Sequence, residues 1–251
     1  MIIWREKFLA TAIHFLVTLT LAICAAALIF LVWFPDPFQK LIGGTELFLL
    51  VVGCDLALGP LISLVIYNSR KSRRALLTDY TIVGVLQISA LVYGVSIIAD
   101  SRPAYIAFNK DRLEIVSAGD ISEKDLAEAT TPAYRSLPLT GPRFVAIKVP
   151  PQEKLDSLLQ SIAGNDEHMR PRFYAPYESQ LEQIRAHAKP LEELEKKHPE
   201  SKPLLESARA GITVPAQRVR WLPVHRRKGF WTVLIDTENG RPLTYLNFDP
   251  Y

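Results

Sequence analysis

Three apolar runs, each long enough to cross a bilayer, fall within the first hundred residues of this 251-residue chain. They constrain its fold more than any other feature. A bilayer core takes about 20 consecutive apolar residues as a helix. Thr11 to Trp33 carries no charge, Glu46 to Tyr67 encloses one acid, and Thr81 to Ala99 again carries none. Lipid offers no hydrogen-bond partners, so each run must satisfy its backbone internally and is expected to be helical. Trp4, Trp33, Phe34 and Tyr67 fall near the ends of the runs, where aromatic rings favour the interface. The first run reads as an uncleaved anchor. Its apolar stretch continues through Leu28–Trp33, past the small residues Ala25–Ala27, and exceeds the 7–15 residues of a signal-peptide core.

The mean hydropathy of +0.11 blends two unlike parts. The reading is a membrane α-helical bundle followed by a soluble α+β domain. Residues 1–100 form the three-helix transmembrane region, with spans at about 11–33, 46–67 and 81–99, and residues 101–251 form the domain. In the domain, Ala104–Phe108 and Arg112–Val116 flank the turn Asn109–Asp111 as a hairpin. Ser122 caps a short helix, and Arg143–Val149 is a further strand. Pro150-Pro151 leads a helix in which Leu155, Leu158, Leu159 and Ile162 make one apolar stripe, ended by Gly164. A helical region carrying Leu181, Ile184, Ala188 and Leu191 should break at Pro190, and Glu200–Ala210 is another helix. Gln217–Val224, Phe230–Asp236 and Leu243–Phe248 return to strands, the last two joined through Asn239-Gly240.

Orientation follows from Lys and Arg in the short connections. Arg70, Lys71, Arg73 and Arg74 crowd the segment between the second and third spans, and Arg5 and Lys7 precede the first. Only Lys40 lies between the first and second spans. The positive-inside rule places the N-terminus and the Arg70–Arg74 segment in the cytoplasm, so three crossings put the C-terminal domain outside. In a Gram-negative bacterium that is the periplasm, with the chain a multi-pass protein of the inner membrane. The cytoplasmic parts are too short for an output domain.

Asp55 stands near the middle of the second span, where an acid costs about 2.5–3.5 kcal/mol to insert. Its depth falls between those of Gln87 and Tyr93 on the third span, which are its candidate partners. The structural reading makes Asp55 hydrogen-bonding glue between helices; the functional reading makes it a proton or ion site, or a contact for another protein's helix. Pro60, after Gly59, removes a backbone donor and is expected to kink the second span. Gly53, Gly59, Gly84, Ser89 and Gly94 offer small surfaces for close helix approach.

No catalytic constellation emerges. The histidines His14, His168, His187, His198 and His225 show no metal-ligand spacing, and there is no nucleophile elbow, phosphate loop or dinucleotide fingerprint. The carboxylates of Glu182–Glu206 interleave with lysines as on a solvated helix. The two cysteines, Cys24 and Cys54, both lie in apolar runs, so neither a disulfide framework nor a thiolate metal site is expected. No cofactor and no metal are expected. From Asp100 onward acids and bases nearly balance, and Arg226-Arg227-Lys228, the tight basic run, reads as a solvated turn, so no nucleic-acid partner is expected.

The run Cys54-Asp55-Leu56-Ala57-Leu58-Gly59-Pro60-Leu61 resembles the D-x-x-x-G-P-L signature of the type IV pilin accessory proteins of the TfpX/TfpZ family. The resemblance continues through Leu77-Thr78-Asp79-Tyr80, Gln87 and Ala90-Leu91-Val92-Tyr93-Gly94. It reaches Arg102-Pro103 and the strand to Phe108, which the family writes R-P-x-x-x-x-F. It covers Trp4 to Ala118 and departs at Thr78-Asp79-Tyr80, where the family more often has D-L. It implies a membrane-bound accessory or chaperone of a type IV pilin that supports pilin stability and pilus assembly or dynamics by binding. Its partners would be the major pilin, the pilus assembly machinery and membrane lipid. Asp55, Gly59, Pro60, Gln87, Tyr93 and Gly94 match its intramembrane positions, and Asp79, Arg102 and Pro103 its membrane–domain junction; no catalytic residue is implied. The rivals are a membrane-anchored enzyme that modifies pilin and a small transporter or ion-coupled subunit built on Asp55.

The topology is directly testable. A periplasm-active reporter fused after Tyr251 is expected to be active and one fused after Arg74 silent, with a cytoplasm-active reporter giving the opposite pattern.

Overall fold

A computed structural model describes residues 2–68, 70–226 and 229–251. The chain divides into two compact units, Met1–Arg102 and Pro103–Tyr251. In the first, α1 (Ile2–Ala27) continues as a π-helix through Leu28–Trp33. The short α2 (Phe38–Ile42) leads into α3 (Gly44–Ile66), and α4 (Arg73–Ser101) completes the unit. Three helices are long and apolar enough to cross a membrane: Trp4–Trp33, Phe48–Ile66 and Arg73–Ser101. Helix α3 packs against both α1 and α4. Leu9, Ile13, Leu16, Leu50, Val85 and Leu86 are more than half exposed, as suits side chains whose solvent is lipid rather than water. Pro60 sits inside α3 without ending it. Phe34, expected at the interface, is instead buried with Ile29 and Ile98.

Helix α4 begins eight residues before its apolar run. Ser72 caps it, the hydroxyl accepting from the Ala75 amide at 3.2 Å, and this satisfies one of the free first-turn donors. Arg73, Arg74 and Asp79 are therefore helical, not part of a loop. Lys71 closes the turn by donating to Asp79 Oδ2 at 2.6 Å and to the Ile66 carbonyl, at the end of α3, at 3.3 Å. Asp79 is thus not at the membrane–domain junction. It stands about 33 Å from Arg102 along α4, at 1.5 Å per residue.

The second unit is built on a seven-stranded mixed sheet in the order β4-β3-β1-β2-β5-β6-β7. Its strands are β1 (Pro103–Asn109), β2 (Arg112–Ser117), β3 (Arg143–Ile147), β4 (Tyr174–Pro176), β5 (Val219–Arg226), β6 (Gly229–Asp236) and β7 (Pro242–Leu246). Strand β1 is internal to the sheet and buried from Pro103 to Phe108; it pairs antiparallel with β2 and parallel with β3. The short β4, too brief to show a period in sequence, adds antiparallel to β3. The helices are α5 (Glu123–Ala127), α6 (Lys154–Ile162), α7 (Leu181–His187), α8 (Leu191–Lys197) and α9 (Lys202–Ala210). Pro190 does break the helical region, as the N-cap of α8. The freed segment pairs Lys189 with Trp221, and the Trp221 indole donates to the Pro190 carbonyl at 3.1 Å.

One core cluster gathers Tyr105, Ala107, Val116, Val145, Phe173 and Tyr174; another gathers Leu191, Leu194, Leu205, Trp221, Leu234 and Leu246. The Asn239-Gly240 turn is as expected, with Gly240 at a φ of 70°. That turn is held down by Tyr177, whose hydroxyl donates to the Gly240 carbonyl at 2.7 Å. Arg227 and Lys228, of the basic run, lie outside the described residues.

Helix α6 is mounted the wrong way round for a core helix. Its buried residue is Ser157, and it is gripped by Arg170, which is 1% exposed. The guanidinium donates to the Ser157 hydroxyl at 2.7 Å, the Ser157 carbonyl at 3.2 Å and Gln160 Oε1 at 3.1 Å. It also stacks 4.8 Å from the Phe173 ring. Burial pulls the Arg170 pKa below its ordinary value. The Arg170→Ala variant leaves these acceptors without a donor, so α6 is expected to lose about 2–3 kcal/mol of local stability. Amide exchange across Lys154–Ile162 would then accelerate while β1 stays protected. Arg170→Lys should restore only part, because one ammonium cannot reproduce the planar fork.

Candidate functional site

The first unit holds a polar cluster in its helix interfaces. Gln87 of α4 does not meet Asp55. Its Oε1 lies 2.8 Å from Nε2 of His14, on α1. The amide oxygen can only accept, so with this amide orientation the proton sits on Nε2 of the imidazole. Gly59 of α3 lets the third backbone close over the pair. A Cβ there would come within 2.5 Å of Gln87 Nε2 and 3.3 Å of His14 Nε2. One turn further, the fully buried Ser63 hydroxyl lies 2.7 Å from the Tyr80 hydroxyl. The Tyr80 ring stands edge-on to His14, with centroids 6.1 Å apart. Lys7 donates to the Leu64 carbonyl at 3.3 Å. These contacts tie all three spans together. Thr11 Oγ1, His14 Nδ1 and Gln87 Nε2 remain buried without a hydrogen-bond partner among the described residues, a costly state where water is excluded.

Asp55 is half-buried on α3. Among the described residues it makes no hydrogen bond or ion pair, and Tyr93 points outward, 69% exposed. Depth along two helices was the ground for pairing these residues, and depth does not fix the rotation of either helix. Gly94 is a packing position: a Cβ there would meet Val51 at 2.4 Å. Gly53 and Gly84 have nothing within 4 Å, so they do not mediate the close approach expected of them. The sequence reading missed His14, Ser63 and Tyr80. An ionisable histidine inside an otherwise uncharged span was the available signal.

At the end of α4, Arg102 donates to the Ala99 carbonyl at 2.6 Å and its guanidinium lies 5.9 Å from the Trp33 ring. Pro103 then opens β1 opposite Ser117. In the second unit, no group of three or more His, Cys, Asp or Glu could hold a metal among the described residues. An open cleft lined by Arg185, Arg218, Arg220, Thr237 and Glu238 is polar, but two of its cations are engaged. Arg185 donates to the Thr237 carbonyl at 2.5 Å. Arg218 pairs with Glu238 and Asp236, and holds the Asp236 carboxyl below its ordinary pKa chiefly by hydrogen bonding. Glu114, buried on β2, meets His225 Nδ1 at 2.6 Å across the β2–β5 register. That pair fastens two strands.

Comparison with known proteins gives consistent matches. The family profile described as Fimbrial assembly protein FimB matches residues 2–43, the stretch that contains His14. The fimbrial assembly protein of serogroup I from Dichelobacter nodosus is 32% identical over 259 aligned residues, covering 98% of each chain. The serogroup E1 protein from the same organism matches with the same identity and coverage. The protein of serogroups C1 and C2 is 38% identical over 129 residues, covering 50% of this chain and 98% of its own. No solved structure matches.

The two classes of glycine predict different costs. Gly94→Val would overpack against the branched Val51 and is expected to destabilise the bundle by about 1–3 kcal/mol. Gly59→Val should cost less, because the end of the flexible Gln87 side chain can move. Gly53→Val and Gly84→Val should leave thermal unfolding of the detergent-solubilised chain nearly unchanged.

Proposed function

The chain belongs to the fimbrial assembly protein family, and from that premise we propose that it is a membrane-bound accessory protein of a type IV pilin. It works by binding, keeps unassembled pilin stable and supports its passage into or out of the pilus. It sits in the bacterial inner membrane with the N-terminus and Arg70–Arg74 in the cytoplasm and Pro103–Tyr251 in the periplasm. On this proposal the chain acts as the type IV pilin accessory proteins of the TfpX/TfpZ family, which its motifs resemble, are expected to act.

The observation that carries the reading is the match to fimbrial assembly proteins over 98% of both chains. It spans the helices and the soluble unit together, so the role belongs to the whole architecture. The physics of an unassembled subunit supports it. A protein with one apolar segment in lipid and a folded head in water needs a helper that offers surface in both phases. Here α1, α3 and α4 supply the first and the seven-stranded domain the second. Within the bundle, Gly94 is already filled by Val51, whereas Gly84 is open and Asp55 has no partner among the described residues. Gly84 and Asp55 are among the positions left to meet an incoming helix, as is Gly53. Asp55→Asn keeps hydrogen-bonding capacity and would spare a hydrogen-bonded contact while abolishing an ionic one.

Selection among pilins is assigned to the domain, because a folded head presents more distinctive surface than an apolar helix. Deleting the protein is expected to lower piliation or pilin abundance when its matching pilin is expressed, and to matter less for a distant pilin. Replacing Ser101–Tyr251 with the same region of a relative should transfer the preference. Preference that follows Met1–Asp100 would place recognition in the membrane, and loss of no pilin under any condition would remove the assignment.

A further inference from the structure

The inverted mounting of α6 leaves its apolar stripe facing away from the domain. Leu155 is 71% exposed, Leu158 56%, Leu159 58% and Ile162 77%. At 100° per residue these four side chains fill an arc about 100° wide, and Ser157, in Arg170's grip, lies opposite its centre. A surface helix normally turns that stripe inward. Here the inward face is polar and hydrogen-bonded, so the outward stripe is not a failure of packing. Large apolar side chains clustered on the outside of a folded domain mark a surface that another apolar phase covers.

We infer that α6 is an interfacial helix that lays its Leu155–Ile162 face on the outer leaflet of the bilayer that the chain itself crosses. Two observations select lipid as the occupant. The first is the tether. Helix α4 ends at Ser101 and β1 begins at Pro103, with Arg102 alone between them. A domain of about 150 residues, with a radius of gyration of about 15 Å, is thereby held at the membrane surface permanently. The bilayer is the one apolar phase always within its reach. The second is charge. Lys154 borders the apolar arc, while Glu153 and Asp156 lie outside it and share the guanidinium of Arg172, whose Nη2 lies 3.3 Å from Glu153 and 3.5 Å from Asp156. The arc itself carries no charge, and Lys154 is the charged group nearest its edge, an arrangement compatible with an anionic headgroup layer.

The test uses the full chain in vesicles of phosphatidylethanolamine and phosphatidylglycerol, with no other protein present. Cys24→Ala and Cys54→Ala remove the native thiols, and single cysteines are then placed at Leu158, at Ile162 and, as a control, at the exposed Glu206. Each carries an environment-sensitive fluorophore. Emission at 158 and 162 is expected to shift to the blue and to fall by about twofold or more when the lipids carry a shallow spin-label quencher, as for an interfacial helix. The control should respond to aqueous iodide instead. Iodide quenching at 158 and 162 with no response to the lipid quencher overturns the proposal. So does cysteine crosslinking between two copies at Ile162, which would make the face a self-association surface. Shielding that arises only after purified pilin is added overturns it too, in favour of a protein partner, and leaves the pilin assignment standing.

Discussion

The absence of water inside the bilayer is the constraint from which the rest of this architecture follows. An unpaired polar group there has no solvent to return to, so a polar side chain in the bundle is stabilised where it meets a hydrogen-bond partner. The His14–Gln87 contact does this between α1 and α4, and it fixes what α3 can be. Because the pair occupies the crossing, Gly59 lets α3 come in beside it without displacing the Gln87 amide. One turn on, Ser63 can then reach Tyr80. In hydrocarbon the apolar surfaces of the helices do not choose partners, since lipid tails are as apolar as leucine. Register is set by this small polar cluster and by the close fit of Gly94 against Val51.

The second unit solves the opposite problem, with water plentiful and apolar surface scarce. Its sheet buries β1 from Pro103 to Phe108 and ends in the short strands β4 and β7. Helix α6 departs from that economy: a buried guanidinium holds its polar face, and four leucine-type side chains are left outside. Burying Arg170 costs desolvation, which its depressed pKa reflects. The domain bears that cost to orient the helix outward. A core helix with the stripe turned in would have been simpler to build, so the orientation is itself the signal of what α6 meets.

The spans were legible because twenty apolar residues in a row have only one reading in a membrane. The hairpins β1–β2 and β6–β7 were legible because alternation and an Asn-Gly turn are local signals. Pro190 as a break was legible for the same reason. What stayed hidden was rotational. Gln87 and Asp55 share a depth, and only the packed helices show that Gln87 faces His14. Gly84 and Gly94 read alike as small residues, and only packing separates the open one from the filled one. The periodicity of Leu155, Leu158, Leu159 and Ile162 correctly gave the helix, but a period reports that one face is apolar and not which way it points. That depended on Arg170, which lies beyond the end of the helix and outside its period. Nothing in the local pattern announces its grip on Ser157 and Gln160.

These two hidden features bear on how the proposed binding role could be carried out. Among the described residues Asp55 makes no hydrogen bond or ion pair, while His14 meets Gln87 and Ser63 meets Tyr80. On the proposed reading that leaves the Asp55 carboxyl open to a group from another chain. In the domain, Ser157 and Gln160 of α6 are committed to Arg170, and that commitment holds the apolar face of the helix outward. On the proposed reading both features leave surface available to a partner without unfolding any part of the chain.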